Sequence, residues 1–158
     1  MTARSVFIEG YLSRNCSINI GLYYDIPVLF IQRTDSEHFV YLALKDWEIM
    51  RRSLPMFETF MKVNECPLRD YSENLVFSFN VIAYMENGKI RFLNTTLNDG
   101  EITLSRSELL QIKRLELYLD KHLRNLTDVN EVLYLGTRSW RRRALEMCKV
   151  KNNKRMIS

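Results

Sequence analysis

The chain has 158 residues, of which 46% are apolar and 27% are charged, with a formal net charge of +4. That length and balance suit one ordinary domain or two very small ones, and they exclude wholesale disorder. No stretch approaches the roughly 20 consecutive apolar residues of a membrane-spanning helix, and no N-terminal apolar run marks a signal peptide. The sequence therefore predicts a protein that does not act at a membrane; a membrane-surface role for the basic tail, which Trp140 among arginines permits, is a minor alternative.

The first half predicts four strands and a helix. Strand-like runs cover residues 5–13, 17–24, 28–33 and 39–42, and the second of them alternates between apolar and polar or small residues, as half-buried strands do. Apolar residues then recur at helical spacing, at Trp47, Met50, Leu54 and Phe57. The next ten residues, 64–73, include a proline and are typical of a linker.

The second half repeats this order. One long strand is predicted over residues 75–85, and the turn pair Asn87-Gly88 then leads into strands over residues 89–93 and 101–104. A capping box follows at Ser105 and Glu108. Apolar residues then continue at helical spacing, at Leu109, Ile112, Leu115, Leu119, Leu123 and Leu126. Residues 128–154 predict a third helix that breaks at Gly136.

These patterns predict an α+β fold of two tandem units, each a curved antiparallel sheet followed by an amphipathic helix. We expect the units over residues 1–63 and 74–127, with the linker over residues 64–73 between them. A basic C-terminal segment is expected over residues 128–158. The repetition lies in the order of elements, since the two halves share few identical residues.

Basic residues are concentrated at the C-terminal end. Residues 137–158 contain eight Lys or Arg and one acid, a charge of +7, which leaves −3 for residues 1–136. Such a tail is typical of a polyanion-binding segment, a nuclear-import signal or a solvated surface, and the sequence leaves all three open. The tail cations that we expect to add sequence-independent affinity for nucleic acid are Arg141, Arg142, Arg143, Lys149 and Lys151.

Cysteines and histidines are too sparse to indicate a metal or catalytic site. Three cysteines form no paired motif, which favours free thiols in a reducing, intracellular compartment, and the basic tail favours the nucleus over the cytoplasm. Neither a glycine-rich phosphate loop nor a nucleophile elbow is present, and no carboxylates pair for acid–base work. The sequence predicts a binding protein without metal or cofactor, not an enzyme.

Aromatic and basic residues share the predicted strands. Single-stranded nucleic acid is bound by that mixture, because bases stack on aromatic rings while cations contact phosphates. The alternative is that the aromatic residues only fill a sheet face, which is ordinary strand propensity. The residues concerned are Tyr11, Tyr23, Tyr24, Tyr84 and Phe92, with Arg14, Arg33, Lys89 and Arg91 close to them.

The strand-to-helix junctions resemble those of the positive cofactor four family of transcriptional coactivators. Residues 102–109, reading Ile-Thr-Leu-Ser-Arg-Ser-Glu-Leu, are similar to the family's junction, in which a strand reading Ile-Ser-Leu leads into a helix. In the first half Trp47 stands five residues after Leu42, as the family's Trp does, and residues 49–57 resemble the family's following helical run. The second half departs from the pattern, because Leu109 stands where that Trp is expected.

The resemblance implies a pseudo-dimer within one chain, whose helices pack together and whose joined sheets bind single-stranded or melted DNA, with DNA favoured over RNA. It implies phosphate contacts by Lys89 and Arg91 and base stacking by Tyr84 and Tyr23, in a protein that serves transcription or replication. A monomer is expected where relatives dimerise, or a homodimer if each half pairs with another chain. The alternative is a protein-interaction or assembly module that keeps the fold without binding nucleic acid, which the mildly acidic body favours.

Overall fold

The computed structural model describes residues 4–63, 73–77, 80–86, 88–95 and 100–150, and it places their side chains except at residues 63, 73–77, 85–86 and 133–150. The fold is α+β, as predicted, with two four-stranded antiparallel sheets whose strands pair in chain order. The first unit contains β1 (Arg4–Ser13), β2 (Cys16–Tyr23), β3 (Ile26–Arg33), β4 (Phe39–Leu42) and α1 (Leu44–Val63). The second contains β5 (Glu73–Phe77), β6 (Val81–Glu86), β7 (Lys89–Asn94), β8 (Glu101–Leu104) and α2 (Arg106–Val150).

Two local features predicted from the sequence, a hairpin and a capping box, are present in the structure. The hairpin between β6 and β7 is confirmed, since Glu86 pairs with Lys89 and Gly88 has a φ of 72°, a conformation that glycine adopts without strain. The capping box is confirmed too. The backbone N–H of Ser105 donates to Oε1 of Glu108 over 2.9 Å, and the backbone N–H of Glu108 donates back to the Ser105 hydroxyl over 3.3 Å.

Two predicted elements were wrong. The single strand over residues 75–85 is divided into β5 and β6, because the chain reverses between Phe77 and Ile82, which pair across the two strands. Ser78 and Asn80 are turn-favouring residues inside that apolar run, but periodicity alone did not distinguish them. The third helix does not exist as a separate element, since α2 continues through Gly136 to Val150. One glycine costs about 1 kcal/mol in a helix, which is too little to break a segment of otherwise good helix formers.

The helices of both units and one face of each sheet share a single apolar core. The helical residues of α1 predicted to face the core are all at most 2% exposed: Trp47, Met50, Leu54 and Phe57. Leu109 and Ile112 of α2 are buried to the same extent. Each helix contacts the sheet of the other unit: α2 contacts β1, β2 and β3, while α1 contacts β5, β6 and β7 as well as β3 and β4 of its own unit. This exchange joins the two units.

Polar contacts also join α1 to α2. The indole N–H of Trp47 donates to Oδ1 of Asp120 over 2.9 Å, and Arg51 forms an ion pair with Glu116 over 2.7 Å. Helix packing of this kind is what a pseudo-dimer within one chain requires, and the pseudo-dimer itself stays a prediction. The predicted domain boundaries also stay a prediction, and α2 runs without interruption across the one at residue 128.

Candidate nucleic-acid interface

Three of the predicted contact residues lie on one face of the second sheet, opposite the helices. Tyr84 on β6 pairs directly with Arg91 on β7, and Lys89 stands two residues before Arg91, so alternation gives all three the same face. Tyr84 is half-buried, and Arg91 forms an ion pair with Glu101 of the neighbouring strand β8. Lys89 is exposed at the start of its strand, at the edge of this face.

A cavity of about 440 Å³ opens beside Lys89 and brings together cations from distant parts of the sequence. It is bounded by the β1–β2 turn, the end of β3, the start of β7 and the start of α2. We call it the basic cleft, and its lining residues are Ser13, Arg14, Asn15, Arg33, Lys89, Ser105 and Glu108. Two predicted contact residues, Arg33 and Lys89, thus meet in one place, and Arg14 joins them.

The charge of Arg33 is not available to a ligand in this cleft, because Arg33 forms an ion pair with Glu108. Its Nη1 and Nη2 donate to the two carboxylate oxygens of Glu108 over 2.6 and 3.0 Å, and Nη2 also donates to the carbonyl of Thr103. The hydroxyl of Ser13 donates to the same carboxylate over 2.7 Å. Arg33 therefore links β3 to the β8–α2 junction of the other unit, a role that sequence spacing could not reveal.

The electrostatics of this pair follow from its surroundings. Burial alone would raise the pKa of Glu108, but the hydrogen bonds from Arg33, the Ser105 backbone and Ser13 outweigh it and lower the pKa to about 2. The hydrogen bond with Glu108 in turn raises the pKa of Arg33. Both groups are therefore charged at neutral pH, and they neutralise each other at the floor of the cleft.

The other two cations of the cleft, Arg14 and Lys89, have no ion-pair partner among the side chains that the structure places. Arg14 and Lys89 are exposed, and neither forms an ion pair with any carboxylate that the structure describes. Because Glu108 balances Arg33, the lining residues together carry an excess of two positive charges. An arrangement of this kind attracts a phosphate, while the amide side chain of Asn15 adds a neutral hydrogen-bond donor.

The matching junction between β4 and α1 has different chemistry. Asn94, at the end of β7, is buried and exchanges hydrogen bonds of 2.9 and 3.0 Å with the backbone of Tyr41, much as Arg33 contacts Thr103. Asp46 caps α1 by accepting from the backbone N–H of Ala43 over 3.0 Å. Among these described contacts no cation is present, so the two junctions provide one basic cleft and one contact without a cation.

The outer face of the first sheet is filled by its own aromatic side chains. Tyr23 lies 4.7 Å from both Tyr24 and Tyr41, measured between ring centroids. The guanidinium of Arg4 lies 4.4 Å from the ring centroid of Phe39, which places a cation against the same cluster. Tyr23 is half-buried, whereas Tyr24 is 69% exposed.

The remaining predicted residues divide into three groups. Phe92 was wrong as a surface aromatic, because it faces the core side of β7 and packs against Phe57 at 5.9 Å. Tyr11 is exposed and donates to Glu9 over 3.3 Å. The tail residues Arg141, Arg142, Arg143 and Lys149 lie on α2 with side chains outside the described set, and Lys151 lies outside the described residues.

Comparisons with known proteins return no match: no family model, no curated protein and no solved structure is similar to this chain. The resemblance to the positive cofactor four family therefore stays a prediction. Within the described ranges, no helix is both long and apolar enough to cross a bilayer. In the same part of the chain, no three His, Cys, Asp or Glu side chains are grouped to hold a metal ion.

Proposed function

We propose that the protein binds single-stranded nucleic acid, with DNA favoured over RNA, through the basic cleft and the adjoining face of the second sheet. The observation that carries this proposal is the meeting of Arg14 and Lys89 in one cleft, where neither forms an ion pair with any side chain that the structure places. Those cations come from separate units of the chain, so the cleft depends on the folded arrangement. A backbone phosphate is the ligand that two cations and an amide donor lining one cleft suit best.

The path of the strand follows from the neighbours of Lys89. A strand whose phosphate lies in the cleft passes onto the face where Arg91 pairs with Tyr84, and there a base stacks on the tyrosine ring. Only an unpaired base can reach a ring in this way, which is why a single strand is favoured over a duplex. Arg91 contributes less to binding than Lys89, because Glu101 already offsets its charge.

The proposed role is in transcription or replication, where DNA is melted, and it places the protein in the nucleus. Binding, rather than catalysis, is the proposed activity, and it needs no cofactor. The basic tail adds sequence-independent affinity. One chain, with its two units acting as a pseudo-dimer, is sufficient for the proposed interface, and a homodimer would present two such interfaces.

A protein-interaction role is the second candidate, and exposed apolar residues on β1 favour it. Val6 is 49% exposed and Phe7 is 60% exposed on this outermost strand of the first sheet, and Tyr11 follows at 57%. An unpaired strand edge with apolar side chains is a surface to which another chain can dock. This role does not exclude the first, since β1 and the second sheet are different surfaces.

The test is the salt dependence of binding to a labelled single strand of about 20 nucleotides, measured by fluorescence anisotropy. Lys89→Ala is expected to weaken binding and to reduce the log–log slope against salt by roughly 0.7, the value for one phosphate contact on a single strand. Lys121→Ala is the matched control, because this exposed lysine on α2 lies fifteen residues, or about 22 Å, beyond the start of the helix. Equal effects of both variants would contradict the proposed site.

A further inference from the structure

The turn between β2 and β3 holds a tyrosine in a backbone conformation that tyrosine rarely adopts. Tyr23 pairs with Ile26, so the turn has two residues, and both lie in the left-handed region: Tyr24 at a φ of 48° and Asp25 at 66°. Turns of this type favour Asn-Gly, which avoids the clash between a side chain and the backbone. A bulky residue there is strained, and strain of this kind is often retained for function.

The ring of Tyr24 is exposed to solvent and packs beside another tyrosine ring. It is 69% exposed, and its edge-on contact with Tyr23 has a centroid distance of 4.7 Å. Tyr23 is supported in turn by Tyr41, also at 4.7 Å. The amide of Asn130 on α2 donates to the carbonyl of Asp25 over 3.2 Å, which ties the turn to the helix. The turn therefore presents a fixed, accessible aromatic surface.

We propose that Tyr24 is a stacking site for an unpaired nucleobase, a site that rests on the proposed binding of single strands. Aromatic side chains that stack bases need exposure and a fixed orientation, and they need no hydrogen-bond partners on the base. Tyr24 has both properties. Its left-handed backbone conformation costs free energy that Asn or Gly at this position would avoid. The apolar core gains nothing from a ring that lies mostly in solvent.

The distance between the basic cleft and Tyr24 sets the minimum length of a bound strand that contacts both. Arg33, at the cleft, pairs with Cys16 at the start of β2, whereas Tyr24 follows the end of that eight-residue strand. The two ends of β2 lie about 25 Å apart. At about 3.4 Å per stacked nucleotide, a strand must be roughly eight nucleotides long to contact both places.

The experiment compares Tyr24→Asn with Tyr24→Phe in anisotropy titrations against a labelled single strand of about 20 nucleotides. Tyr24→Asn is expected to weaken binding by about 5- to 150-fold, the range for losing one stacked base. It is also expected to raise the melting temperature, because Asn tolerates the turn conformation better than Tyr. A more stable variant that binds more weakly excludes unfolding as the cause. Tyr24→Phe keeps the ring and is expected to keep the affinity.

One further probe, a strand without bases, separates the outcomes. A strand of the same length without bases is expected to bind the wild type and Tyr24→Asn equally. If wild type binds the normal strand and Tyr24→Asn binds it equally well, the stacking site is overturned while the proposed function stands. Equal losses in Tyr24→Phe and Tyr24→Asn would overturn stacking in favour of a hydroxyl contact. If the wild type binds no single strand, both proposals are overturned.

Discussion

The charge of Glu108 should stabilise the folded protein at neutral pH, and this stabilisation should be lost only at acid pH. The pKa of this carboxyl lies at about 2 in the folded protein, against an ordinary value of 4.5. Because the folded pKa is the lower one, the stabilisation is complete above about pH 4.5 and is lost as the pH falls towards 2. A difference of that size corresponds to about 3 kcal/mol of unfolding free energy at neutral pH.

Glu108→Gln tests this reasoning, since it removes the charge and nearly preserves the shape. Urea unfolding followed by far-ultraviolet circular dichroism should show the variant less stable by about 3 kcal/mol at pH 7. At pH 2.5 the difference in stability should fall below about 1 kcal/mol. At that pH the carboxyl of the unfolded wild type is protonated, so ionised Glu108 stabilises the folded state much less than at pH 7. The variant also frees the charge of Arg33, so its affinity for single strands at pH 7 should rise.

Glu58→Gln is the matched control for this measurement. Glu58 forms an ion pair of 2.7 Å with Lys113 between the two helices, and the Lys113 hydrogen bond lowers the pKa of Glu58. That pair is solvent-exposed, so its loss should not change stability measurably. A Glu108→Gln variant that was destabilised equally at pH 7 and pH 2.5 would refute the electrostatic reasoning, and so would one as stable as the wild type at pH 7.

Two further predictions concern stability. Gly21→Ala should destabilise the fold by about 1–3 kcal/mol, because an added Cβ would lie 1.8 Å from the carbonyl oxygen of Ser5. Gly10→Ala is the control and should be tolerated, because its Cβ would have no contact nearer than 3.5 Å. Thermal melts of both variants check this, and similar melting temperatures would contradict it. Trp47→Phe should lose about 1.5–3 kcal/mol in urea unfolding, because Asp120 loses its indole donor and the smaller ring fills less of a fully buried site. A stability equal to wild type would contradict this.

Much of the fold could be predicted from local signals. The four strands of the first unit were predicted to within two residues at each end, because alternation and turn residues are encoded next to each other in the sequence. The capping box at Ser105 and Glu108 was predicted for the same reason. The reversal near Asn80 was missed, because an apolar run has the same period on both sides of a turn.

The site was predictable only in part, because it depends on long-range contacts. Sequence proximity suggested Arg33 and Lys89 as contact residues but could not show that they share a cleft, nor that Glu108 neutralises the first of them. Tyr24 was recognised only as one aromatic among several. A signal was available: two strand-like runs are separated by a tight turn that lacks the usual Asn-Gly, and such a departure marks a position worth testing.

The most direct test of the central claim is equilibrium binding of the wild-type protein to a labelled single strand and to the matching duplex, at two salt concentrations. We predict tighter binding to the single strand, weakened by salt with a log–log slope of about −1.4 or steeper, as expected for the two phosphate contacts of Arg14 and Lys89. Absence of binding at low salt, or equal binding to both forms, would contradict the account.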